Sequence, residues 1–223
     1  MAKVNNGPII VDHNSQCYKR NWWSAGANRY NGAFFYSKEI VTNIIPKIKT
    51  DRNWVTVNTY GVGVKDHSIV FIHNNLQPNN YKWLRKFKDM ILVCSIPETC
   101  HRITDFGTPV YLPLSVDVDY VKRFRVSRKT KSQAFAGRRS KANLGKLPRG
   151  IDYLSGLKRD DLLRRMAEYK TIYAVGRTAI EARVLGCEIG VYDKRFPDVS
   201  IWKVVDNSQA VKLLQKILDN IDG

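Results

Sequence analysis

Long hydrophobic runs, cysteines and acidic residues are all scarce in this sequence. No apolar run approaches the roughly 20 residues that a helix needs to cross a bilayer. The first residues, MAKVNNGPIIVDHN, also lack the charged, apolar and small-residue regions of a secretory signal. We therefore expect a soluble protein that works in the cytoplasm.

The chain contains four cysteines, and none pairs with a second cysteine or a histidine at the spacing of a zinc site: Cys17, Cys94, Cys100 and Cys187. Cys94 and Cys187 lie in apolar segments, where a reduced thiol behaves as a small hydrophobic side chain. This pattern favours structural thiols over disulfides or metal ligands, and we expect neither a metal nor a cofactor.

The shortage of acidic residues leaves a large positive charge. There are 20 Asp and Glu against 37 Lys and Arg, which gives a formal net charge of +17 over 223 residues. Such an excess favours a polyanionic partner, namely nucleic acid, an anionic membrane surface or a phosphate-rich substrate. The alternative is a basic surface that serves no partner.

Short apolar runs alternate with helical patterns along the whole chain, which is typical of layered α/β folds with parallel strands. In the first half, strands are predicted at 8–12, 54–59, 68–73, 90–95 and 109–114. Helices are predicted at about 37–47, with Ser37 as the cap, and at about 79–88 and 98–106.

The composition changes after Asp119, where a basic segment shows neither a strand nor a helix pattern. Beyond it we predict strands at 133–136, 151–155, 171–175, 188–192 and 201–204, and helices at about 159–169, 178–185 and 207–220. The pattern indicates two α/β domains, residues 1–118 and 133–223, joined by a basic linker at 119–132.

The strand at 133–136 is followed by Gly137 and a basic loop with Arg138, Arg139 and Lys141. Ligands of open α/β sheets bind beyond the carboxyl ends of the strands. A glycine there lets the backbone turn sharply, and guanidinium or ammonium groups can then hold phosphate oxygens. The pattern predicts a phosphate-binding loop, and a solvated basic loop is the alternative.

A second candidate site follows the strand at 171–175, where Gly176, Arg177 and Thr178 open a helix that carries Glu181. The free N–H groups of a helix N-terminus suit a pyrophosphate, and a carboxylate one turn further can accept hydrogen bonds from a ribose diol. Thr178 and Glu181 also have the spacing of a capping box, which is the structural alternative for Glu181.

Several segments resemble the C-terminal half of GT-B glycosyltransferases. Residues 174–193, AVGRTAIEARVLGCEIGVYD, are similar to the segment in which a small-residue turn precedes a helix with a Glu-Ala pair, a glycine and a strand. FAGRRSK (135–141) resembles the first strand and basic loop of that domain. YLPLSVDVDYVKRF (111–124) resembles the interdomain linker, and LKRDDLLRRMAEYKTIYAVG (157–176) resembles the helix and strand before the ribose-binding turn.

The resemblance implies a compact GT-B enzyme, in which two Rossmann-like domains face each other across a cleft and a nucleotide-sugar is the co-substrate. It implies that Glu181 binds the ribose hydroxyls and that Gly176, Arg177 and Thr178 face the diphosphate. The leaving group would be neutralised by the loop after Gly137, through Arg138, Arg139 or Lys141. The family's second acidic position, seven residues before Glu181, holds Ala174 here, so donor recognition would depend more on backbone and arginines.

Asp117-Val118-Asp119 has the D-x-D spacing that binds a divalent metal in GT-A, the other large glycosyltransferase class. Here it follows an apolar strand and opens the basic linker, so the linker interpretation is favoured. In GT-B chemistry positive groups and a helix dipole stabilise the leaving diphosphate, and we expect no metal site.

The general base and the acceptor site are predicted in the first half. Asp12 and His73 end predicted strands on the ligand side of a parallel sheet, and either can take a proton from an acceptor hydroxyl. A structural role is the alternative for each. Gly32, in a glycine-rich segment before a helix, is a candidate for close contact with the acceptor.

Between Asp119 and Asp152 the chain has eleven Lys and Arg and no acidic residue. A diphosphate needs only a few of them, so the surplus, including Arg125 and Arg128, predicts contact with an extended phosphate backbone. The aromatic side chains of Trp22, Trp23 and Tyr36 offer surfaces for a sugar or an extruded base.

DNA is therefore the favoured acceptor, with the sugar transferred to a hydroxylated base. Such enzymes occur among bacteriophage GT-B proteins, so the resemblance implies a phage-encoded enzyme in the host cytoplasm. One alternative is transfer to an anionic cell-envelope polymer or lipid at the inner membrane face. Another is a non-catalytic nucleic-acid-binding protein on a degenerate GT-B fold.

Overall fold

The computed structural model describes residues 9–11, 17–18, 32–57, 64–72, 78–137 and 145–223. The chain divides into two compact units. The first is made of residues 1–28, 33–113 and 208–223, and the second of residues 29–32 and 114–207. The closing helix therefore groups with the first unit, whereas the sequence pattern assigned it to the second domain.

The first unit contains a six-stranded sheet in the order β2-β1-β3-β4-β5-β6. Its strands are β1 (Ile9–Val11), β2 (Cys17–Tyr18), β3 (Asn53–Val57), β4 (Ser68–Ile72), β5 (Ile91–Cys94) and β6 (Thr108–Tyr111). Among these described strands only β2 runs antiparallel, and sequence analysis missed it. β4 and β5 are buried along their whole length, because their residues are apolar on both faces as central parallel strands require.

The helices of the first unit differ from the prediction at their ends. Helix α1 (Gly32–Glu39) continues through a π-helical turn to Ile44 and a 3-10 turn to Lys47, so Ser37 lies inside the helix and is not its cap. A 3-10 helix covers Pro78–Lys86. The predicted helix at 98–106 consists of α2 (Pro97–Arg102) and a 3-10 turn at Thr104–Phe106.

The second unit is built on a four-stranded parallel sheet in the order β10-β9-β7-β8. Its strands are β7 (Lys131–Ala136), β8 (Asp152–Leu154), β9 (Tyr169–Tyr173) and β10 (Glu188–Gly190), and its helices are α3 (Val118–Lys122), α4 (Arg159–Ala167) and α5 (Arg177–Val184). From β7 the chain adds β8 on one side, then crosses over to β9 and β10 on the other. The order therefore reverses between β7 and β9.

Two predictions for the second unit are wrong. The segment at 201–204 is not a strand: a 3-10 turn covers Val199–Ile201, and only an isolated bridge joins Val116 to Asp206. Part of the predicted linker forms α3, because the Asp117 carboxylate accepts a hydrogen bond from the Tyr120 N–H and caps that helix. The protein is thus an α/β protein with parallel sheets, compatible with a Rossmann-like fold.

The last helix, α6 (Asn207–Asp222), carries Ala210, Leu214 and Leu218 as its buried apolar residues. Their spacing of four places them on one helical face. Within the part of the chain that the structure describes, neither α6 nor any other helix has the length and apolar character to span a membrane.

An ion-pair network at the amino-terminal edge of the first sheet ties α6 to the strands. The buried Arg52 guanidinium donates to Asp222 through Nε and Nη2, at 3.0 and 2.5 Å from Oδ1, and to the Asp89 carbonyl at 2.9 Å. The Nδ1 atom of His67 lies 2.5 Å from Asp89 Oδ2, and its Nε2 atom lies 3.3 Å from Asp51 Oδ1. His67 and Asp89 both have positive φ, so this network holds two strained residues.

This network predicts a pH-dependent stability. The hydrogen bond to Asp89 raises the pKa of His67. The stabilisation of the folded state by protonated His67 is therefore complete below the ordinary pKa of 6.5 and is lost as pH rises through the raised pKa. The hydrogen bond to His67 lowers the pKa of Asp89, and the hydrogen bond to Arg52 lowers the pKa of Asp222. The stabilisation of the folded state by these two carboxylates is therefore present above their ordinary pKa of 3.8 and is lost as pH falls through the lowered pKa values. The network stabilises most between these limits.

Urea unfolding of the wild type and of His67→Asn from pH 5 to pH 9 tests this prediction. Asparagine tolerates the positive φ, so the change removes mainly the titrating ring. We expect the difference in free energy of unfolding to be largest near pH 5 and to shrink towards pH 9. A difference that stays constant would show that the ring does not act through its charge.

Candidate donor site at the carboxyl edge of the second sheet

The reversal of strand order between β7 and β9 places Gly137 and Gly176, one glycine from each sequence-predicted constellation, after neighbouring strands. Phe135 of β7 pairs with Tyr173 of β9, so both strands end at the same level. Gly137 follows β7 directly, and Gly176 follows β9 after two residues. The carboxyl edge at a reversal of strand order is where open α/β sheets bind ligands.

Arg138, Arg139 and Lys141 lie outside the described residues, but both ends of their loop are described. Gly137 begins the loop at the end of β7. Gly145 follows the undescribed part and lies so close to the strand ends that a Cβ atom there would be 1.2 Å from the Tyr192 carbonyl oxygen. Because Tyr192 follows β10, the basic loop begins and ends at the same edge of the sheet.

Gly176 is the N-cap of α5 and needs to be glycine. Its φ of 63° and ψ of −140° lie in a region that side chains with a Cβ rarely adopt. The Gly176 carbonyl accepts from the N–H groups of Ala179 and Ile180 at 3.1 and 3.2 Å, so the first turn is formed. A glycine provides no side-chain cap, and the helix N-terminus therefore remains suited to an external anion.

Glu181 is buried in this site and is held by two arginines. Its Oε1 atom accepts from Arg177 Nε at 2.9 Å and from Arg159 Nη2 at 3.0 Å. Glu181 is 4% exposed and Arg177 is 8% exposed. The capping-box interpretation is wrong, because Gly176 is the N-cap, Thr178 is the second residue of the helix, and the Glu181 carboxylate bonds to guanidinium groups.

Arg159 is a residue of this site that sequence analysis missed. It opens α4 as Arg177 opens α5, and its guanidinium carbon lies 5.1 Å from the centre of the Tyr120 ring. The Tyr120 hydroxyl donates to Asp160 at 2.5 Å, which fixes the ring. An arginine at the first position of a helix opposes the helix dipole, and this was the available signal in the sequence.

Arg195 is a second missed residue, held at the end of β10. The Asp193 carboxylate, 1% exposed, accepts from Arg195 Nε at 2.9 Å and from Nη2 at 2.6 Å. This pair geometry fixes the guanidinium plane and raises the pKa of Arg195. A half-exposed cation is thus held at the same edge of the sheet as α5.

Two cations of the basic segment, Arg125 and Lys129, bond to the ends of helices. Arg125, predicted to contact the acceptor, donates through Nε to the Val184 carbonyl at 2.5 Å, at the C-terminus of α5. Lys129 Nζ donates to the carbonyls of Ala167 and Leu185 at 3.0 and 3.1 Å, so one ammonium group caps both α4 and α5. Arg128 is exposed, as its predicted contact with a phosphate backbone requires.

The predicted acceptor and catalytic residues of the first unit are described only in part. Asp12, His73, Trp22 and Trp23 lie outside the described residues, and Gly32 begins α1. Tyr36 does not offer an aromatic surface: it is 5% exposed, and its hydroxyl lies 3.1 Å from Ser95 Oγ. Burial raises its pKa. The tyrosine packs into the core because helix α1 extends through it.

Acidic, cysteine and histidine side chains form no group of three that could hold a metal ion among the residues described in the structure. In the Asp117-Val118-Asp119 segment, Asp117 caps α3, and Oδ1 of the exposed Asp119 lies 3.8 Å from Lys122 Nζ. The structure therefore gives this segment a role in beginning a helix.

Comparison with known proteins identifies no relative: no protein-family model matches the chain, and no curated protein or solved structure is significantly similar to it. The geometry of the second unit is therefore the basis for a functional proposal.

Replacement of Lys129 by methionine tests the structural role of the basic segment. The change leaves the last carbonyls of α4 and α5 without their charged donor, so we expect a loss of about 2 kcal/mol in the free energy of unfolding. Arg128→Met, the matched control, removes the same charge one residue earlier and should change stability by less than about 0.5 kcal/mol in urea titrations. Equal losses in both variants would contradict the capping role.

Proposed function

We propose that this protein is a nucleotide-sugar-dependent glycosyltransferase whose second unit binds the donor. The observation that carries the proposal is the meeting of the two constellations at the reversal of strand order: Gly137 with its basic loop and Gly176 with α5 follow neighbouring parallel strands. The same edge carries Arg159 and Arg195. A diphosphate is the ligand class that helix N-terminal N–H groups and fixed guanidinium groups bind best.

The donor role proposed for each residue combines the family resemblance with the position of Gly137 and Gly176 at the strand ends. The Gly176 turn brings backbone close to the diphosphate, and Arg177 and Thr178 begin the helix that faces it. Arg138, Arg139 and Lys141 would neutralise the leaving group from the adjacent loop. Stabilising the charge that develops on the leaving group is the main contribution that such a site can make to catalysis. Asp12 and His73 remain the candidates for the base.

Thermal shift with UDP-, GDP-, ADP- and dTDP-sugars, using Gly176→Ala and Gly186→Ala, tests the donor site. Both glycines have positive φ, and in both the nearest atom to an added Cβ is 3.9 Å away, so both changes cause backbone strain without a clash. The glycines lie at opposite ends of α5. We expect at least one nucleotide-sugar to stabilise the wild type, by roughly 2.7 kcal/mol at 100 times its Kd.

The comparison of the two variants separates binding from stability. Each should unfold at a lower temperature, by about 1–2 kcal/mol of lost stability. Gly186→Ala should keep the ligand-induced shift, and Gly176→Ala should lose most of it. If no nucleotide-sugar shifts the wild type, the donor proposal fails. If both variants bind equally well, the Gly176 turn is not part of the site.

We further propose DNA with a hydroxylated base as the acceptor, which is supported by the net charge of +17 and by exposed cations such as Arg128. Lys129 is less available to DNA, because its ammonium group bonds to two helix carbonyls. Transfer to an anionic cell-envelope polymer or lipid is the alternative that shares this charge.

Incubation of the protein with the donor and with DNA that contains 5-hydroxymethylpyrimidines tests the acceptor. Digestion to nucleosides followed by mass spectrometry should show a hexosyl or pentosyl addition, and DNA without the hydroxyl is the control. Sugar transfer to anionic lipid in parallel vesicle assays, with none to DNA, would favour the envelope acceptor. Salt-dependent DNA binding without any response to nucleotide-sugars would favour a non-catalytic binding protein.

A further inference from the structure

We infer that Glu181 acts as the counter-ion that positions Arg159 and Arg177, and that the donor site recognises the diphosphate of its nucleotide and not the ribose. This inference rests on the proposed donor site. It departs from the ribose-binding role that the family resemblance implies for Glu181, and it adds Arg159 as a phosphate-binding residue.

The first argument is the position of the two arginines. The chain crosses from β8 to β9 and then from β9 to β10 in the same direction along the sheet. Because such connections are right-handed, α4 and α5 lie on the same face of the sheet. There the two helices contact each other. Arg159 and Arg177 are the first residues of these two helices. The two guanidinium groups thus meet at the Oε1 atom of Glu181, near the starts of both helices.

The second argument is electrostatic. A cation at a helix N-terminus is destabilising unless an anion lies close to it. Glu181 accepts from both guanidinium groups, at 2.9 and 3.0 Å, and so brings a negative charge to both helix starts. In α4 the acidic Asp160 and Asp161 of the first turn also favour the helix dipole. Arginine as the first residue of both helices is nevertheless unfavourable locally, which is expected where a site binds an anion.

The third argument is the state of the Glu181 carboxylate. A ribose diol must donate to an accessible carboxylate oxygen, but the Glu181 side chain is 6% exposed and its Oε1 already accepts from two charged donors. Hydrogen bonds from guanidinium groups are stronger than those from neutral hydroxyls. The burial of the side chain and its bonds to two charged donors favour a positioning role for Glu181 over a ribose-binding one.

The fourth argument is that Arg159 is fixed for binding. Its Nη2 atom bonds to Glu181, and its guanidinium plane lies over the Tyr120 ring at 5.1 Å. Its side chain is 17% exposed, so a part of it reaches solvent. A fixed and partly exposed guanidinium binds phosphate oxygens with little loss of conformational entropy.

Calorimetric titration of the wild-type chain with UDP, GDP, their 2′-deoxy counterparts and inorganic pyrophosphate tests the inference without a variant. We expect each ribonucleotide and its deoxy counterpart to bind with the same Kd within about twofold, and pyrophosphate to compete with them. A ribose-binding Glu181 predicts that loss of the 2′-hydroxyl weakens binding about tenfold. That outcome, with pyrophosphate inactive, would overturn the inference and leave the proposed donor site intact.

Three variants extend the test. Arg159→Met should weaken binding of both UDP or GDP and pyrophosphate by about tenfold. Arg164→Met is the matched control, because it removes the same charge from an exposed position of the same helix, and it should leave both affinities unchanged. Glu181→Gln should change nucleotide and pyrophosphate affinity by the same factor, since it acts only through the arginines.

A selective loss of nucleotide affinity in Glu181→Gln, with pyrophosphate affinity unchanged, would contradict the positioning role. Equal affinities in Arg159→Met and the wild type would remove Arg159 from the site. If neither the nucleotides nor the nucleotide-sugars bind the wild type at all, the proposed function itself fails. The failures of the two proposals are therefore distinguishable.

Discussion

Parallel pairing of β7 with β9 is the constraint on which the candidate site depends. The register between Phe135 and Tyr173 brings two chain segments that are almost forty residues apart to one edge of the sheet. Parallel strands deliver all their following loops to the same side, and the reversal of strand order there opens a gap between connections on opposite faces. Gly137 and Gly176 lie beside this gap for that reason, and the crossover from β8 to β9 brings Arg159 of α4 to Glu181 of α5.

Charge at this edge is arranged in pairs and not spread over the surface. Glu181 holds Arg159 and Arg177, and Asp193 holds Arg195, in each case with a carboxylate that is almost fully buried. A buried carboxylate that is bonded to guanidinium groups costs much to desolvate, so it contributes more to orientation than to stability. The cations of the candidate site differ in this respect from Arg125 and Lys129, which bond to the carbonyl ends of helices.

The first unit presents the opposite case, in which an ion-pair network lies at the amino-terminal edge of its sheet. Arg52, Asp89 and His67 each come just before a strand, and Asp222 reaches them from the last turn of α6. Ligands of parallel sheets bind at the carboxyl edge, so a network at the amino-terminal edge is expected to have a structural role. It anchors the end of a helix that follows the second unit in the chain and packs with the first.

The sequence by itself determined most of the strands and helices and the two glycine turns. Short β-branched apolar runs such as ILVC and SIVFI favour buried parallel strands, and the glycine before RTAIEA predicts a helix start after a strand. These signals act over a few neighbouring residues, so they can be read from the sequence. Tertiary structure decided the rest. Glu181 has the local spacing of a cap, yet its partners are an arginine one turn away and Arg159, which is 22 residues distant and adjacent only after α4 packs on α5. Tyr36 was predicted to be a binding residue, but it is buried beside Ser95 and has a structural role. Partners of this kind, which lie on different elements, are fixed by packing and leave no periodic pattern in the sequence.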